Sequence, residues 1–158
     1  MIDVHLTPSA WNRQRPHTLV IACSDGRLQE NLDDFLHRGL GISHYDRLYA
    51  PGGGGALATS GYDHVRADHF YRECKFLVRA NEVQDLILIF HGPTEDGPDE
   101  AACADYLRKL PSASASEIRQ RQAQDAKVVR TLDWGIAVQL HVFRCEVNSN
   151  DAVQFVPM

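Results

Sequence analysis

Thr18-Leu19-Val20-Ile21-Ala22-Cys23-Ser24-Asp25-Gly26-Arg27 is an apolar run that stops abruptly at a thiol, a carboxylate and a guanidinium. The run has the length and β-branched content of a buried strand. In an open α/β sheet, ligands bind in the crevice outside the carboxyl ends of the strands. A polar cluster at such an end therefore points to chemistry more than to packing.

Working outward, the residues before Thr18 form an expected irregular N-terminal arm over 1–17, with Pro8 and Pro16 and little periodicity. After the cluster, Gln29–Arg38 reads as a helix with Leu32, Phe35 and Leu36 on one face, and Gly39 supplies its stop. Arg47–Ala50 is a short strand that runs into Pro51-Gly52-Gly53-Gly54-Gly55. A helix follows from about Gly61 to Ala80, with Phe70, Cys74, Leu77 and Val78 as its apolar stripe. Asp85–His91 is continuously apolar until its histidine, as a strand covered on both faces should be.

Gly92–Pro98 is a loop rich in breakers. Asp99–Leu110 reads as a helix with Cys103, Tyr106, Leu107 and Leu110 on one face. Ser114-x-x-Glu117 is a capping box opening a helix to about Leu132. Ile136–Glu146 is the last strand, and Asn148–Met158 a loop or an edge extension. The alternation predicts an α/β fold: a parallel β-sheet of about four strands, flanked by helices on both faces, in a single domain over 1–158.

Composition narrows the function. The chain has 158 residues, 44% of them apolar, and a net charge of −5 with acids and bases interspersed. No Lys/Arg stripe appears, which argues against a nucleic-acid partner. No apolar run is long enough for a membrane helix, and no basic-then-apolar leader is seen, so a cytoplasmic location is expected. Cys23, Cys74, Cys103 and Cys145 are widely spaced, and in a reducing compartment they are expected as core thiols or metal ligands.

Three strand ends carry unusual residues: Cys23 to Arg27, the glycine run, and His91. In a parallel sheet they share one edge. Cys23 and His91 are ligand types that Zn²⁺ prefers, although a lone strand histidine is more often a core residue bonded to backbone. Asp25 and Arg27 flank Gly26 and can form a bidentate pair that keeps the carboxylate ionised; the plainer reading is a structural turn pair. Gly52, Gly53 and Gly54 expose backbone N–H groups and can form an anion-holding nest, or simply a tightly packed turn. A cysteine phosphatase is set aside, because such enzymes place five residues between Cys and Arg and only three intervene here.

These residues resemble the β-class carbonic anhydrases over about residues 18–145. Cys23, Asp25 and Arg27 match the Cys-x-Asp-x-Arg after that family's first strand, Ala50-Pro51-Gly52-Gly53 is a loose counterpart of its glycine loop, and His91 matches the histidine of its His-x-x-Cys. The resemblance implies a homodimer or higher homo-oligomer, zinc on Cys23 and His91, and Asp25 with Arg27 as the catalytic dyad. The second zinc cysteine falls on Thr94, a poor ligand. Asp25, Glu95 or Asp96 are the substitutes considered; Cys103 ranks below them because it shares the apolar stripe of its helix. The expected function is accordingly a carbonic anhydrase-like protein with an incomplete zinc site and reduced or lost CO₂ hydration, binding a small anion or other small molecule at Gly52–Gly54. The alternative is an active zinc-dependent carbonic anhydrase converting CO₂ to bicarbonate, and a third reading is a nucleophilic Cys23 enzyme with His91 as its base.

Overall fold

A computed structural model describes residues 4–59 and 63–158. The strands are β1 (Thr18–Ala22), β2 (Asp46–Tyr49), β3 (Asp85–Pro93), β4 (Gln139–Val147) and β5 (Val153–Pro157). The helices are α1 (Gln29–Asp34), α2 (His64–Ala80), α3 (Ala104–Lys109) and α4 (Ala115–Val129). They build one five-stranded sheet in the order β2-β1-β3-β4-β5. The first four strands are parallel, and β5 returns antiparallel along β4. The tail is thus the edge extension of the two readings offered for it, and the sheet has five strands where about four were expected.

The continuous apolar runs are explained by two cores. Leu19 and Ile21 of β1 and Leu86, Leu88 and Phe90 of β3 face one cluster. Val20, Ala22, Ile87 and Ile89 face the other. Alternate side chains of a strand point to opposite faces, so a strand covered on both sides must be apolar at every position.

Several boundaries moved for local reasons. α1 gives way after Asp34 to a wider π-type turn over Phe35–Gly39, where Phe35 stacks on Phe155 at 4.1 Å. The first residues expected for α2, Gly61 and Tyr62, lie outside the described residues; from His64 the helix runs as expected, its N-terminus capped by Asp63. α4 opens on the Ser114–Glu117 capping box. β4 starts at Gln139 rather than Ile136, after Gly135 turns the chain at φ 78°. The helix expected from Asp99 is two pieces: a single 3₁₀ turn over Asp99–Ala101, then α3. Ala102 and Cys103 between them are extended, at ψ 138° and 120°.

Candidate metal centre

That break in the helix moves Cys103. As the N-cap of α3 it sits at the sheet's carboxyl edge, beside the ends of β1 and β3. The Cys23 sulfur, a His91 ring nitrogen and the Cys103 sulfur lie within 4.8 Å of one another. His91 is inside β3, paired in register with Cys145. It is 3% exposed, and among the described residues neither ring nitrogen meets a hydrogen-bond partner at ordinary geometry, the Cys23 sulfur being the polar group that interacts with it. A core histidine held only for packing donates from one nitrogen and accepts at the other; a buried polar atom left without a partner costs about 1–3 kcal/mol. Two sulfurs facing an unpartnered imidazole are a zinc donor set, so the residues present fit the metal that the resemblance implies.

The electrostatics agree. Cys23 is pulled down to about 4, first by the Cys103 thiol donating toward it, against the opposing effect of burial, with His91 and the Gly52 N–H also favouring the thiolate. Cys103 moves the other way, because its proton is held on Cys23 and because it is buried. The direction of the shift favours a thiolate on Cys23, the form that metal ligation needs.

Thr94, where the family spacing places the third ligand, points elsewhere. Its hydroxyl donates to Asp96 Oδ1 at 2.7 Å and its N–H to the Val147 carbonyl at 2.8 Å. Asp96 also accepts from Ser149 at 3.0 Å, and Glu95 lines a separate surface cleft with Ser116 and Arg119. Asp25 is engaged as well: Oδ1 accepts from the Arg27 N–H at 3.1 Å and from Nε at 3.0 Å, and Oδ2 accepts from Nη2 at 2.6 Å. That fork holds its carboxyl down at about 2. Of the three substitutes expected for the missing ligand, Asp25 and Asp96 are thus engaged with other partners and Glu95 lines a separate cleft, while the Cys103 sulfur joins Cys23 and His91.

The glycine run is packed where an open nest was the expectation. Gly53, at φ 54°, lies so close to β1 and β3 that a Cβ would meet the Ile89 carbonyl at 2.3 Å. On Gly54 it would strike the Phe90 ring at 2.9 Å, on Gly55 the Tyr106 hydroxyl at 2.1 Å, and on Gly52, at φ 96°, the Asp105 carboxylate at 2.4 Å. Only the absence of side chains lets this loop press against the strand ends and aim the Gly52 N–H at Cys23. Behind it, buried Asp105 is paired with Arg66 at 3.0 Å and with Arg108, and Arg66 also binds the Pro51 carbonyl.

A second buried network, which the sequence reading missed, backs the histidine. Gln122 of α4 donates to the His91 carbonyl at 2.8 Å and accepts from Arg144 Nε at 2.8 Å. Arg144 also donates to Glu146 Oε1 at 2.6 Å and to the Pro93 carbonyl at 3.0 Å. Arg144 and Glu146, at alternate positions flanking Cys145 in β4, were the available signal.

One small recess touches the cluster, and a wider cleft lies beyond it at Asp25 and Arg27. A small apolar recess beside Cys23 and His91 is lined by Ala22, Leu28, Leu32, Ile89 and Phe155. An open cleft of about 420 Å³ runs past Asp25, Arg27, Pro98, Glu100 and Val153.

With the fold and the site in place, known proteins give a context. Among solved structures, the chain is similar to a carbonic anhydrase from Streptococcus mutans, with TM-score 0.50 and 13% identity over 94% of this chain and 87% of that one. It is also similar to a β-carbonic anhydrase of Aspergillus fumigatus, at TM-score 0.46 and 14% identity over 90% and 76% of the two chains. Isoform I from Trichomonas vaginalis matches at TM-score 0.45 and 15% identity over 96% and 88%. The match to the Streptococcus mutans structure, with the five-stranded, mostly parallel sheet, makes the fold β-carbonic-anhydrase-like. No protein-family model matches the sequence, and no curated protein does.

Proposed function

We propose that Cys23, His91 and Cys103 hold a zinc ion, and that the protein is a zinc-dependent lyase interconverting CO₂ and bicarbonate. The observation that supports this most is the meeting of two sulfurs and an unpartnered buried imidazole within 4.8 Å at the carboxyl edge of the sheet. The expectation of a weakened site rested on Thr94, and the Cys103 sulfur beside Cys23 and His91 supports a full donor set instead. Three protein ligands with one position left for water is the pattern of catalytic zinc. When bound, zinc supplies Lewis acidity that makes water acidic near neutral pH.

The chain's own groups do the rest. Asp25, kept ionised by Arg27, is an acceptor that orients a water by taking its hydrogen bond; held at about 2 it does not store a proton at neutral pH. The recess of Ala22, Leu28, Gln29, Leu32, Ile89 and Phe155 beside the cluster measures about 10 Å³, room for a water at most, so CO₂ would need these side chains to give way. The wider cleft past Arg27 gives the anionic product a way out. Small-anion binding at Gly52–Gly54 is kept in reduced form, as the Gly52 N–H acting on Cys23.

Stopped-flow CO₂ hydration by protein of measured zinc content tests the proposal. The expected result is turnover that scales with zinc and is lost in Cys103→Ser. A zinc-loaded protein without turnover would reject the activity.

A further inference from the structure

Resting on the metal-centre reading, we propose that Arg27 is a positioning residue for the third ligand, clipping the strap that carries Cys103 to the end of β1.

Eleven residues, 92–102, separate His91 from Cys103. A ligand that far along the chain is not placed by its strand, so the approach must be fixed by other bonds. The first half of the strap is fastened to the β4–β5 side. Thr94 N–H donates to the Val147 carbonyl at 2.8 Å, and Asp96 accepts from Ser149 at 3.0 Å. Beyond Gly97 the backbone bonds turn inward: Ala101 N–H to the Pro98 carbonyl and Ala102 N–H to the Asp99 carbonyl, both 3.0 Å. They shape the 3₁₀ turn but attach it to nothing.

The attachment is Arg27. Its Nη1 donates to the Glu100 carbonyl at 2.9 Å, three residues before Cys103. Its Nε and Nη2 are spent on Asp25. The planar guanidinium therefore spans from the turn after Cys23 to the turn before Cys103, with a fixed angle between its arms that a lysine lacks. The dyad thus serves as a strut that sets the spacing of the two sulfurs. Partners outside the ligand shell that orient ligands typically matter for metal affinity by about 10–100-fold.

The test uses the full chain, with Co²⁺ as probe, in wild type, Arg27→Met and Asp25→Asn. Arg27→Met should lose about 10–100-fold in cobalt affinity by chelator competition. It should also lose close to half of the thiolate-to-cobalt charge-transfer absorbance, as Cys103 leaves the metal. In the metal-free protein its amides over 99–103 should exchange hydrogen faster than in wild type. Asp25→Asn keeps an oxygen for Nε and leaves Nη1 on Glu100, so its affinity should stay within about threefold of wild type. Arg27→Met with unchanged affinity, absorbance and exchange overturns the proposal. So does an Asp25→Asn loss equal to that of Arg27→Met, which would assign the effect to the charge of the dyad. A wild type that takes up no cobalt overturns the metal centre itself, and the exchange comparison in metal-free protein then still decides the clip.

Discussion

A thiol among apolar side chains normally keeps its proton, because burial disfavours the charged form. Cys145 follows that rule, pushed up to about 12 by burial, and Cys74 is pushed higher still. Cys23 departs from it because the Cys103 thiol and the Gly52 N–H both donate toward its sulfur. In metal-free protein at pH 6, above the Cys23 value and far below the others, iodoacetamide should therefore label Cys23 first; peptide mapping that finds Cys74 or Cys145 labelled first would contradict this. Cys103→Ser should abolish stoichiometric zinc while Thr94→Ala keeps it, as read by elemental analysis. Cys23 and His91 were legible as ligands because each ends or interrupts an apolar strand. Cys103 was not, because stripe arithmetic assumes an unbroken helix, and the extended backbone at Ala102 and Cys103 breaks it. Gly55→Ala should destabilise by about 1–3 kcal/mol in denaturant unfolding, since its methyl would overlap the buried Tyr106 hydroxyl.

At the scale of elements, α4 and β4 are joined through charge as well as through apolar contact. Arg144 and Glu146 are each 2% exposed, and Gln122 ties them to the His91 carbonyl. Breaking one partner of a buried pair strands the other, a cost of about 3–5 kcal/mol. Glu146→Leu should lower the unfolding free energy measured in urea by that order; a loss below about 1 kcal/mol would mean that Arg144 finds another acceptor or reaches water. Strand and helix types were largely readable, since β1 and β3 feed two cores and the α4 cap announces itself as Ser114 and Glu117. β5 was half-read: five residues ending at Pro157, on an edge, carry little pattern, and their pairing depends on where β4 lies. The network of Arg144, Glu146 and Gln122 was hidden because its meaning lies in contacts between distant elements.

For the whole molecule, the sheet order puts β1 and β3 side by side in the middle, which brings Cys23 to His91. Alternating strands and helices announced the parallel sheet with helices on both faces, whereas the strand order that sets β1 beside β3 was not legible from the alternation. The pH response of the folded state includes Asp25: its carboxyl lies below the unfolded value of 3.8, so its contribution is complete above that value and is lost as pH falls toward about 2. Arg27→Met should raise the Asp25 value toward 3.8 in a carboxyl NMR titration, and an unmoved titration would contradict the fork. Assembly is a prediction of the same scale. Light scattering at micromolar concentration should give at least twice the 17.7 kDa of one chain, and a monomer mass would refute the expected homodimer.

Zinc K-edge X-ray absorption on protein purified without added metal reads the Cys23–His91–Cys103 centre itself. A near-stoichiometric edge with two sulfur neighbours at about 2.3 Å and nitrogen or oxygen neighbours at about 2.0–2.1 Å is expected. Absence of zinc, or a shell with a single sulfur, would contradict it.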